Sequence, residues 1–274
     1  MTSLAVKYRP TCFSELSEQK AVVSIITNQI ETNTIKHGYL FCGGAGTGKT
    51  TSARIFANMI NNGQGVPIEL DAASNNSVDD IRKLTDDAQT QALDCEYKVF
   101  IIDECHSLSN QAWQAMLKTL EEPPAKSIFI FCTTDPQKIP GTILSRVQRY
   151  NFSRISQDGI VKRLHYILER EYCEPGYKIV NDVDEALKYI AKIADGGMRD
   201  AITLMDKCLS YNTELTVTNV TEALGLADYD DLFSLLYSVS EKDPGAIVMT
   251  VNNVDYSGMD LKLFCKTFFE FILD

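Results

Sequence analysis

The chain has 274 residues, 45% of them hydrophobic, which predicts two or three compact units with enough apolar material for their cores. Its formal net charge of −11 argues against a protein that wraps nucleic acid over its whole surface. No apolar run approaches the roughly 20 residues of a membrane span and the N-terminus lacks a signal peptide, so we expect a cytoplasmic protein without membrane contact.

The acidic charge is concentrated in the second half of the chain. Residues 1–155 carry 15 Lys and Arg against 16 Asp and Glu, whereas residues 156–274 carry 11 against 21. Any contact with a polyanion is therefore expected on the first half, and the acidic half is available for protein partners. An acidic helical surface that only keeps the protein soluble explains the same distribution equally well.

Eight cysteines are scattered along the chain without a Cys-x-x-Cys pair. Several fall within predicted strands or helices, where a reduced thiol acts as a small apolar side chain. We therefore expect neither a disulfide framework nor a zinc site.

The chain begins with a helix, a strand and a second helix. Branched apolar residues recur on one face of the first predicted helix, residues 18–31. Residues 39–42 form a short apolar strand, and residues 51–60 have apolar positions at helical spacing. A glycine-rich loop joins this strand to the second helix.

That loop matches the phosphate-loop pattern of Gly, four residues, then Gly-Lys-Thr. Its glycines let backbone N–H groups turn toward phosphate oxygens, and the helix N-terminus adds a positive dipole. Lys49 is expected to reach the β- and γ-phosphates of ATP, and the Thr50 hydroxyl to bind Mg²⁺. The residues assigned here to nucleotide binding are Gly43, Gly44, Ala45, Gly46, Thr47, Gly48, Lys49, Thr50 and Thr51.

Strands and helices continue to alternate up to about residue 153. Strands are predicted at 66–70, 98–102 and 127–132, and helices begin at a capping-box Ser77 and at Ser109. This alternation predicts an α/β fold, a parallel sheet with helices on both faces, in which ligands bind at the carboxyl ends of strands.

Asp103 and Glu104 follow the strand at 98–102 and so lie at the same edge of the sheet as the phosphate loop. Asp103 would hold Mg²⁺ through water, and Glu104 would orient and polarise the attacking water. An acidic pair at a strand end is often only a solvated turn. The phosphate loop favours the catalytic interpretation.

The remaining chain is predicted to be entirely helical, with a polar break at 212–214. Helices are predicted at 156–171, 182–194 and 199–211, and then from Thr218, Asp228, Asp243 and Met259. The last helix is rich in aromatic residues. We expect later residues or a partner to cover Phe264, Phe268, Phe269 and Phe271.

Seven short motifs in this order resemble the ATPase subunit (gamma/tau) family of the bacterial DNA polymerase III clamp loader. They are Lys7-Tyr8-Arg9-Pro10, the phosphate loop, Asp71-Ala72-Ala73-Ser74, the segments 117–124 and 133–138, Ile143-Leu144-Ser145-Arg146, and the segment 196–200. The resemblance implies an AAA+ core at 1–153, a helical lid at 154–213, and a partial collar at 214–274 through which subunits assemble into a five-subunit ring.

The resemblance also assigns roles to residues outside the phosphate loop. Thr133 and Thr134 match the sensor that detects the γ-phosphate, and Arg199 matches the lid arginine that contacts the same nucleotide. Arg146 matches the arginine finger that reaches a neighbouring subunit's ATP, where its planar charge can spread over phosphoryl oxygens. Part of the adenine pocket is expected from Tyr8, Arg9 and Pro10.

The sequence departs from the family pattern at three places, one of which is the acidic motif at residues 103–106. Members usually carry a four-cysteine zinc module after the phosphate-loop helix, but residues 58–67 contain no cysteine, so zinc is predicted to be absent. Val147 replaces the cysteine that usually follows the finger arginine. This change should leave the role of Arg146 intact because the thiol makes no phosphate contact.

The resemblance implies a function in DNA replication. The subunit would use ATP binding and hydrolysis to open a ring-shaped sliding clamp and place it on primer-template DNA, with the replicative polymerase as a further candidate partner. In the family the loop after Asp71–Ser74 faces DNA. The DNA-contact hypothesis rests on Asn75, Asn76, Arg82, Lys83 and Lys118.

Two other functions fit parts of the sequence. Asp103-Glu104-Cys105-His106 matches a helicase box, but a helicase needs two nucleotide-binding cores and the remaining residues are helical. A structural loader subunit that binds a clamp or polymerase without hydrolysing ATP is the stronger alternative. Intact Lys49 and Glu104 argue against it.

Overall fold

The computed structural model describes residues 2–92, 94–171, 183–225, 229–256 and 261–273. The chain divides into two compact units. The first unit comprises Met1–Arg163 and Asp195–Asp200, and the second comprises Leu164–Ala194 and Ala201–Asp274.

A five-stranded parallel sheet forms the centre of the first unit. Its strands are β1 (Gly38–Gly43), β2 (Ile68–Asp71), β3 (Lys98–Asp103), β4 (Ser127–Thr133) and β5 (Gln148–Phe152). They lie in the order β2-β3-β4-β1-β5, and every neighbouring pair is parallel. The predicted α/β fold is therefore confirmed.

The described helices are numbered in chain order. They are α1 (Leu4–Lys7), α2 (Lys20–Glu31), α3 (Lys49–Ile60), α4 (Val78–Ala88), α5 (Asn110–Glu121), α6 (Gly141–Leu144), α7 (Gln157–Glu171), α8 (Val183–Ile193), α9 (Met198–Tyr211), α10 (Val217–Leu224), α11 (Tyr229–Ser240), α12 (Pro244–Tyr256) and α13 (Leu261–Leu273). Short 3-10 turns occupy Phe13–Glu15, Cys105–Ser107 and Pro136–Lys138. Within the described residues, no helix is both long enough and apolar enough to cross a membrane.

Successive strand side chains point to opposite faces of the sheet, and helices cover both faces. On one face, Leu40 and Phe100 pack with Trp113 of α5. On the other face, Phe41 and Ile130 pack with residues of α2 and α3. The carboxyl edge of the sheet is consequently held between two layers of helices.

Most predicted elements lie within two residues of their positions in the structure. The predicted capping box at Ser77 is confirmed, since its hydroxyl accepts from Asp80 N and the Asp80 carboxylate accepts from Ser77 N. The first long helix begins at Lys20 and not at Glu18, because Glu18 adopts a left-handed conformation with φ 60°.

The edge strand β5 is not among the predicted elements. Its sequence, Gln-Arg-Tyr-Asn-Phe, buries only Tyr150 and Phe152 fully and exposes Arg149 and Asn151. This alternation is typical of an edge strand, whereas three of the four predicted strands are continuous apolar runs.

The second unit contains its own apolar cluster of Leu232, Leu235, Val254 and Phe264. Phe264 is 2% exposed, so the expectation that it needs cover from outside the chain is wrong. Phe268 and Phe271 pack against the same cluster, because the described part of α13 lies against α12 and Phe271 meets Phe233 of α11. Phe269 remains 66% exposed, as expected.

The close pairing of β1 with β5 leaves no room for a side chain at Gly43. In the register Gly43 lies opposite Phe152, and an added Cβ would overlap the Phe152 carbonyl oxygen and lie 2.9 Å from Phe152 Cβ. Gly44 has more space, since its added Cβ would lie 3.8 Å from Thr47 Cγ2.

We therefore expect Gly43→Ala to lower the free energy of unfolding by about 1–3 kcal/mol through overpacking. Gly44→Ala, the matched control, should change it by less than about 0.5 kcal/mol. Urea denaturation of both variants measures the difference. Equal effects of the two substitutions would contradict this account of the strand pairing.

Candidate nucleotide-binding site

The carboxyl ends of three central strands lie side by side in the sheet. In the β1–β4 register Cys42 pairs with Thr133, which places Thr133 next to the start of the phosphate loop. Thr50, in the first turn of α3, donates to the carboxylate of Asp103 at the end of β3, with Oγ1 2.8 Å from Oδ2. The structure therefore brings the predicted loop, acidic pair and sensor to one edge.

The phosphate loop turns sharply between β1 and α3. Gly46 and Gly48 have φ values of 68° and 98°, in the left-handed region that side chains disfavour. Thr47 Oγ1 donates to Gly44 O at 2.9 Å and closes the turn. Ser52 N, one turn into the helix, bonds Gly48 O.

Lys49 lies folded back over this loop. Its Nζ donates to Gly43 O at 2.9 Å and to Gly44 O at 2.7 Å, and the residue is only 7% exposed. Among the described residues its hydrogen-bond partners are carbonyl groups and not carboxylates. A buried ammonium group that forms no ion pair with a described residue, next to a helix N-terminus, fits a bound anion such as phosphate.

Two oxygen-bearing side chains at this edge fit a hard cation. Thr50 Oγ1 and the Asp103 carboxylate are in direct contact, and Asp103 Oδ1 also accepts from Glu104 N at 3.0 Å. Hydroxyl and carboxylate oxygens are the ligand types that Mg²⁺ prefers, usually together with water and phosphate.

Glu104 is held at the head of the 3-10 turn Cys105–Ser107. It adopts a left-handed conformation with φ 46°, which is uncommon outside glycine. Thr134 Oγ1 donates to Glu104 Oε2 at 3.1 Å. His106 Nδ1 lies 3.4 Å from the same oxygen and 3.0 Å from Thr133 Oγ1. The acidic pair, Thr133 and Thr134 thus form one polar network through His106.

Three buried thiols, those of Cys42, Cys105 and Cys132, lie close to this network. Burial raises the pKa values of Cys105 and Cys132 well above the usual range, and the nearby charge of Asp103 adds to the effect. Burial also raises the pKa of Cys42. These thiols therefore stay protonated at neutral pH and act as small apolar side chains, as the sequence predicts.

A second chain segment lies against the outer side of the phosphate loop. Met198 N donates to Gly46 O at 3.0 Å, and an added Cβ at Gly46 would lie 3.0 Å from Gly197 Cα. The backbone N of Arg199 would lie 3.3 Å from the same Cβ. The structure thus places the Arg199 backbone beside the loop, while the Arg199 residue itself is exposed.

Arg146 lies at the opposite end of β1 from the phosphate loop. Its carbonyl oxygen would lie 3.3 Å from a Cβ added to Gly38, the first residue of β1. Its guanidinium donates to Glu121 Oε1 at 2.5 Å and to Thr142 O at 2.6 Å. The structure therefore does not bring Arg146 to the loop of its own chain.

The candidate adenine-pocket residues follow α1 near the N-terminus. Tyr8, Arg9 and Pro10 are half-buried, and Tyr8 O accepts from Arg163 Nη2 at 2.9 Å. The backbone of Tyr8 therefore contacts α7, which contains Arg163.

The candidate DNA-contact residues are all exposed. Asn75 and Asn76 lie in the loop after β2, Arg82 and Lys83 lie on α4, and Lys118 lies on α5. Arg82 forms an ion pair with Asp79 at 3.2 Å. Helices α4 and α5 pack against one another, so these residues belong to one side of the sheet.

Two further residues contact this region, and the sequence pattern predicts no role for either of them. Gln19 contacts the phosphate loop through its side chain, and His106 contacts both Glu104 and Thr133. His106 was visible in the sequence only as the end of an acidic motif. Gln19 has no local signal, because its partners lie far along the chain.

Comparison with known protein families identifies two matching segments. Residues 62–156 match a family described as DNA polymerase III, delta subunit. Residues 159–213 match the DNA polymerase III clamp loader subunit, ATPase lid domain.

Solved structures with a similar fold include RuvB from Thermotoga maritima. The R170A variant has a TM-score of 0.64 at 20% identity, over 92% of this chain and 86% of that one. The RuvB Holliday junction branch migration motor has a TM-score of 0.63 at 19% identity. At this identity the likeness shows the fold alone.

Curated relatives extend over nearly the whole chain. DNA polymerase III subunit tau of Bacillus subtilis is 38% identical over 92% of this chain, which spans 48% of that protein. The chain spans about half the length, or less, of the first such relatives. DNA polymerase III subunit gamma of Buchnera aphidicola is 34% identical, with 94% of this chain and 75% of that protein covered. Because this relative is covered over most of its length, the chain belongs to the DNA polymerase III gamma/tau family of clamp-loader subunits.

Proposed function

We propose that this chain is the ATP-hydrolysing subunit of a sliding-clamp loader. It would use ATP binding and hydrolysis to open a ring-shaped clamp and place it on primer-template DNA during replication. The observation that carries this proposal is the grouping of Lys49, the Thr50–Asp103 pair and the Glu104–Thr134 pair at one edge of the sheet.

Each of these groups has a task in phosphoryl transfer. Lys49 would exchange its carbonyl partners for phosphate oxygens, and the N–H groups of the loop would bind the same anion. Thr50 and Asp103 would hold Mg²⁺, which neutralises phosphate charge when bound. Thr133 would contact the terminal phosphate, and His106, which lies beside both Thr133 and Glu104, would transmit the presence of this phosphate to Glu104.

Glu104 would act as the base that orients the attacking water. The Thr134 hydroxyl fixes one carboxylate oxygen of Glu104 and leaves acceptor positions on the carboxylate for water. A carboxylate positioned in this way contributes about 10²–10⁴ in rate when it accepts a proton in the transition state.

The chain would act together with other proteins and DNA. We propose that it assembles with other loader subunits into a five-subunit ring and contacts the sliding clamp. The replicative polymerase is a further candidate partner, which reconstitution with the purified polymerase would test. The exposed residues Asn75, Asn76, Arg82, Lys83 and Lys118 would face primer-template DNA. The proposed core, lid and collar occupy 1–153, 154–213 and 214–274.

A structural loader subunit without ATP turnover is the alternative that experiment must separate from this proposal. The contacts of Lys49, Asp103 and Glu104 favour turnover, since a purely structural subunit has no need for a base beside a cation site. Measured ATP hydrolysis by the assembly, with and without primed DNA, decides between the two functions.

Substitution of the loop lysine and of the acidic base should have different effects. Lys49→Ala removes a phosphate contact, so tight ATP binding should be lost. Glu104→Gln should keep ATP affinity within a few fold but lower turnover by about 100-fold or more, because only water activation is removed. Equilibrium binding of ATP and steady-state hydrolysis measure the two effects.

The wild-type assembly serves as the reference for both variants. Glu104→Gln should also trap a state bound to ATP, clamp and DNA, which gel filtration of the assembly can detect. Equal loss of nucleotide affinity in the two variants would contradict the assignment of Glu104 as base.

Arg146 is proposed to act on the nucleotide of a neighbouring subunit. It lies at the Gly38 end of β1, whereas the phosphate loop begins at Gly43. Five residue steps of a strand span about 16 Å, which exceeds the reach of an arginine side chain. Its exposure and its distance from its own loop both support a role between subunits.

Arg146→Ala should leave ATP binding intact and lower DNA-stimulated hydrolysis of the assembly by about 10³-fold, because each interface lacks one charge of the transition-state clamp. Arg149→Ala, which removes an exposed arginine bound to Asn151 on β5, is the matched control and should change hydrolysis little. The measurement is steady-state ATP hydrolysis with primed DNA and clamp.

Mixing two inactive variants tests the direction of this contact. A Lys49→Ala subunit offers a finger without loading ATP, and an Arg146→Ala subunit loads ATP without offering a finger. Co-assembled mixtures should recover part of the activity at interfaces that combine an intact loop with an intact finger. Demonstrated co-assembly without any recovery would favour action within one subunit.

A further inference from the structure

A buried glutamine joins the phosphate loop to the segment that follows β5. Gln19 is 4% exposed and precedes the first residue of α2. Its Nε2 donates to Ser153 O at 2.8 Å, and its Oε1 accepts from Ser153 N at 3.3 Å. The same Nε2 lies 3.5 Å from Thr47 O in the phosphate loop. Because solvent barely reaches this amide, the two backbone segments supply its hydrogen bonds.

The preceding residue holds the other end of the same segment. The Glu18 carboxylate accepts from Ser156 N at 2.7 Å and from Ser156 Oγ at 2.5 Å. An added Cβ at Gly159 would lie 2.7 Å from Glu18 Oε1, so the carboxylate sits directly against the first turn of α7. The left-handed φ of Glu18 lets consecutive side chains reach Ser153 and Ser156.

A second set of hydrogen bonds, through residues 196–198, also connects the segment after β5 with the phosphate loop. Ile155 N donates to Gly196 O at 3.1 Å, and two residues later Met198 N donates to Gly46 O at 3.0 Å. Two separate sets of contacts therefore link the phosphate loop to the 153–156 segment, one through Gln19 and one through residues 196–198. Their members are Thr47, Gln19 and Ser153 in the first set, and Ile155, Gly196, Met198 and Gly46 in the second.

We propose that Gln19 is a positioning residue that couples occupancy of the phosphate loop to the 153–156 segment, from which α7 begins. The inference rests on the proposed nucleotide site. A bound phosphate draws the N–H groups of the loop toward itself, and the Thr47 carbonyl moves with its peptide plane. The buried Gln19 amide follows this carbonyl, and its two bonds to Ser153 carry the displacement to the segment.

The test compares two buried glutamines of the same region. Gln29, within α2, is 7% exposed and accepts from the hydroxyls of Tyr39 and Tyr150, away from the phosphate loop. Gln19→Met and Gln29→Met each replace a buried amide by a thioether of similar length. Hydrogen exchange of residues 153–160 is measured with and without a non-hydrolysable ATP analogue and Mg²⁺, together with analogue affinity and thermal stability.

In the wild type, the analogue should slow hydrogen exchange at 153–160. Gln19→Met should lose this protection and bind the analogue about tenfold more weakly, as the loss of a buried hydrogen bond allows. Gln29→Met should keep both properties within about twofold of the wild type, even if its thermal stability falls by as much as that of Gln19→Met. Gln19→Glu, which keeps the acceptor for Ser153 N but loses the donors, should behave as Gln19→Met and replaces it if that variant fails to fold.

Wild-type protection and affinity in the Gln19 variants would overturn the inference, as would equal losses in Gln29→Met. Analogue binding by the wild type without protection at 153–160 would overturn the inference alone. Absence of saturable analogue binding by the wild type would overturn the proposed nucleotide site, and this inference with it.

Discussion

Parallel pairing of β1 between β4 and β5 is the constraint on which the candidate site depends. The pairing aligns Cys42 with Thr133 on one side and Gly43 with Phe152 on the other. A shift of one residue would turn every side chain of β1 to the opposite face and move the phosphate loop away from its partners. The glycine at Gly43 permits this register because any side chain would overlap β5.

Charge is separated within the site that this register creates. Lys49 lies buried against carbonyl groups, whereas Asp103 and Glu104 are bound by the hydroxyls of Thr50 and Thr134. Hydroxyl partners satisfy a carboxylate without neutralising it, so both charges remain available to a ligand. At the other end of the sheet, Arg146 is paired with Glu121, and one strand length separates this cation from the phosphate-loop motif.

The local sequence pattern predicted most of the strands and helices of the first unit. Continuous apolar runs identified three of the four predicted strands, and the Ser77 capping box marked the start of α4, because these signals lie within a few adjacent residues. The pattern did not identify β5, whose alternation on a sheet edge is short and partly polar. It also extended α2 to Glu18, since nothing near that residue shows that a distant partner holds it in a left-handed conformation.

For the candidate site, the sequence by itself determined the phosphate loop, the acidic pair and the strand–loop–helix context, because each is a run of neighbouring residues with a fixed chemistry. Only the tertiary structure decided which separate runs meet. Gln19 bonds Ser153 across 134 residues, and Gly46 meets Gly197 and Met198 from a segment far along the chain. Such contacts leave no periodic signal, because sheet pairing and close backbone packing bring them together only after the strands have found their register.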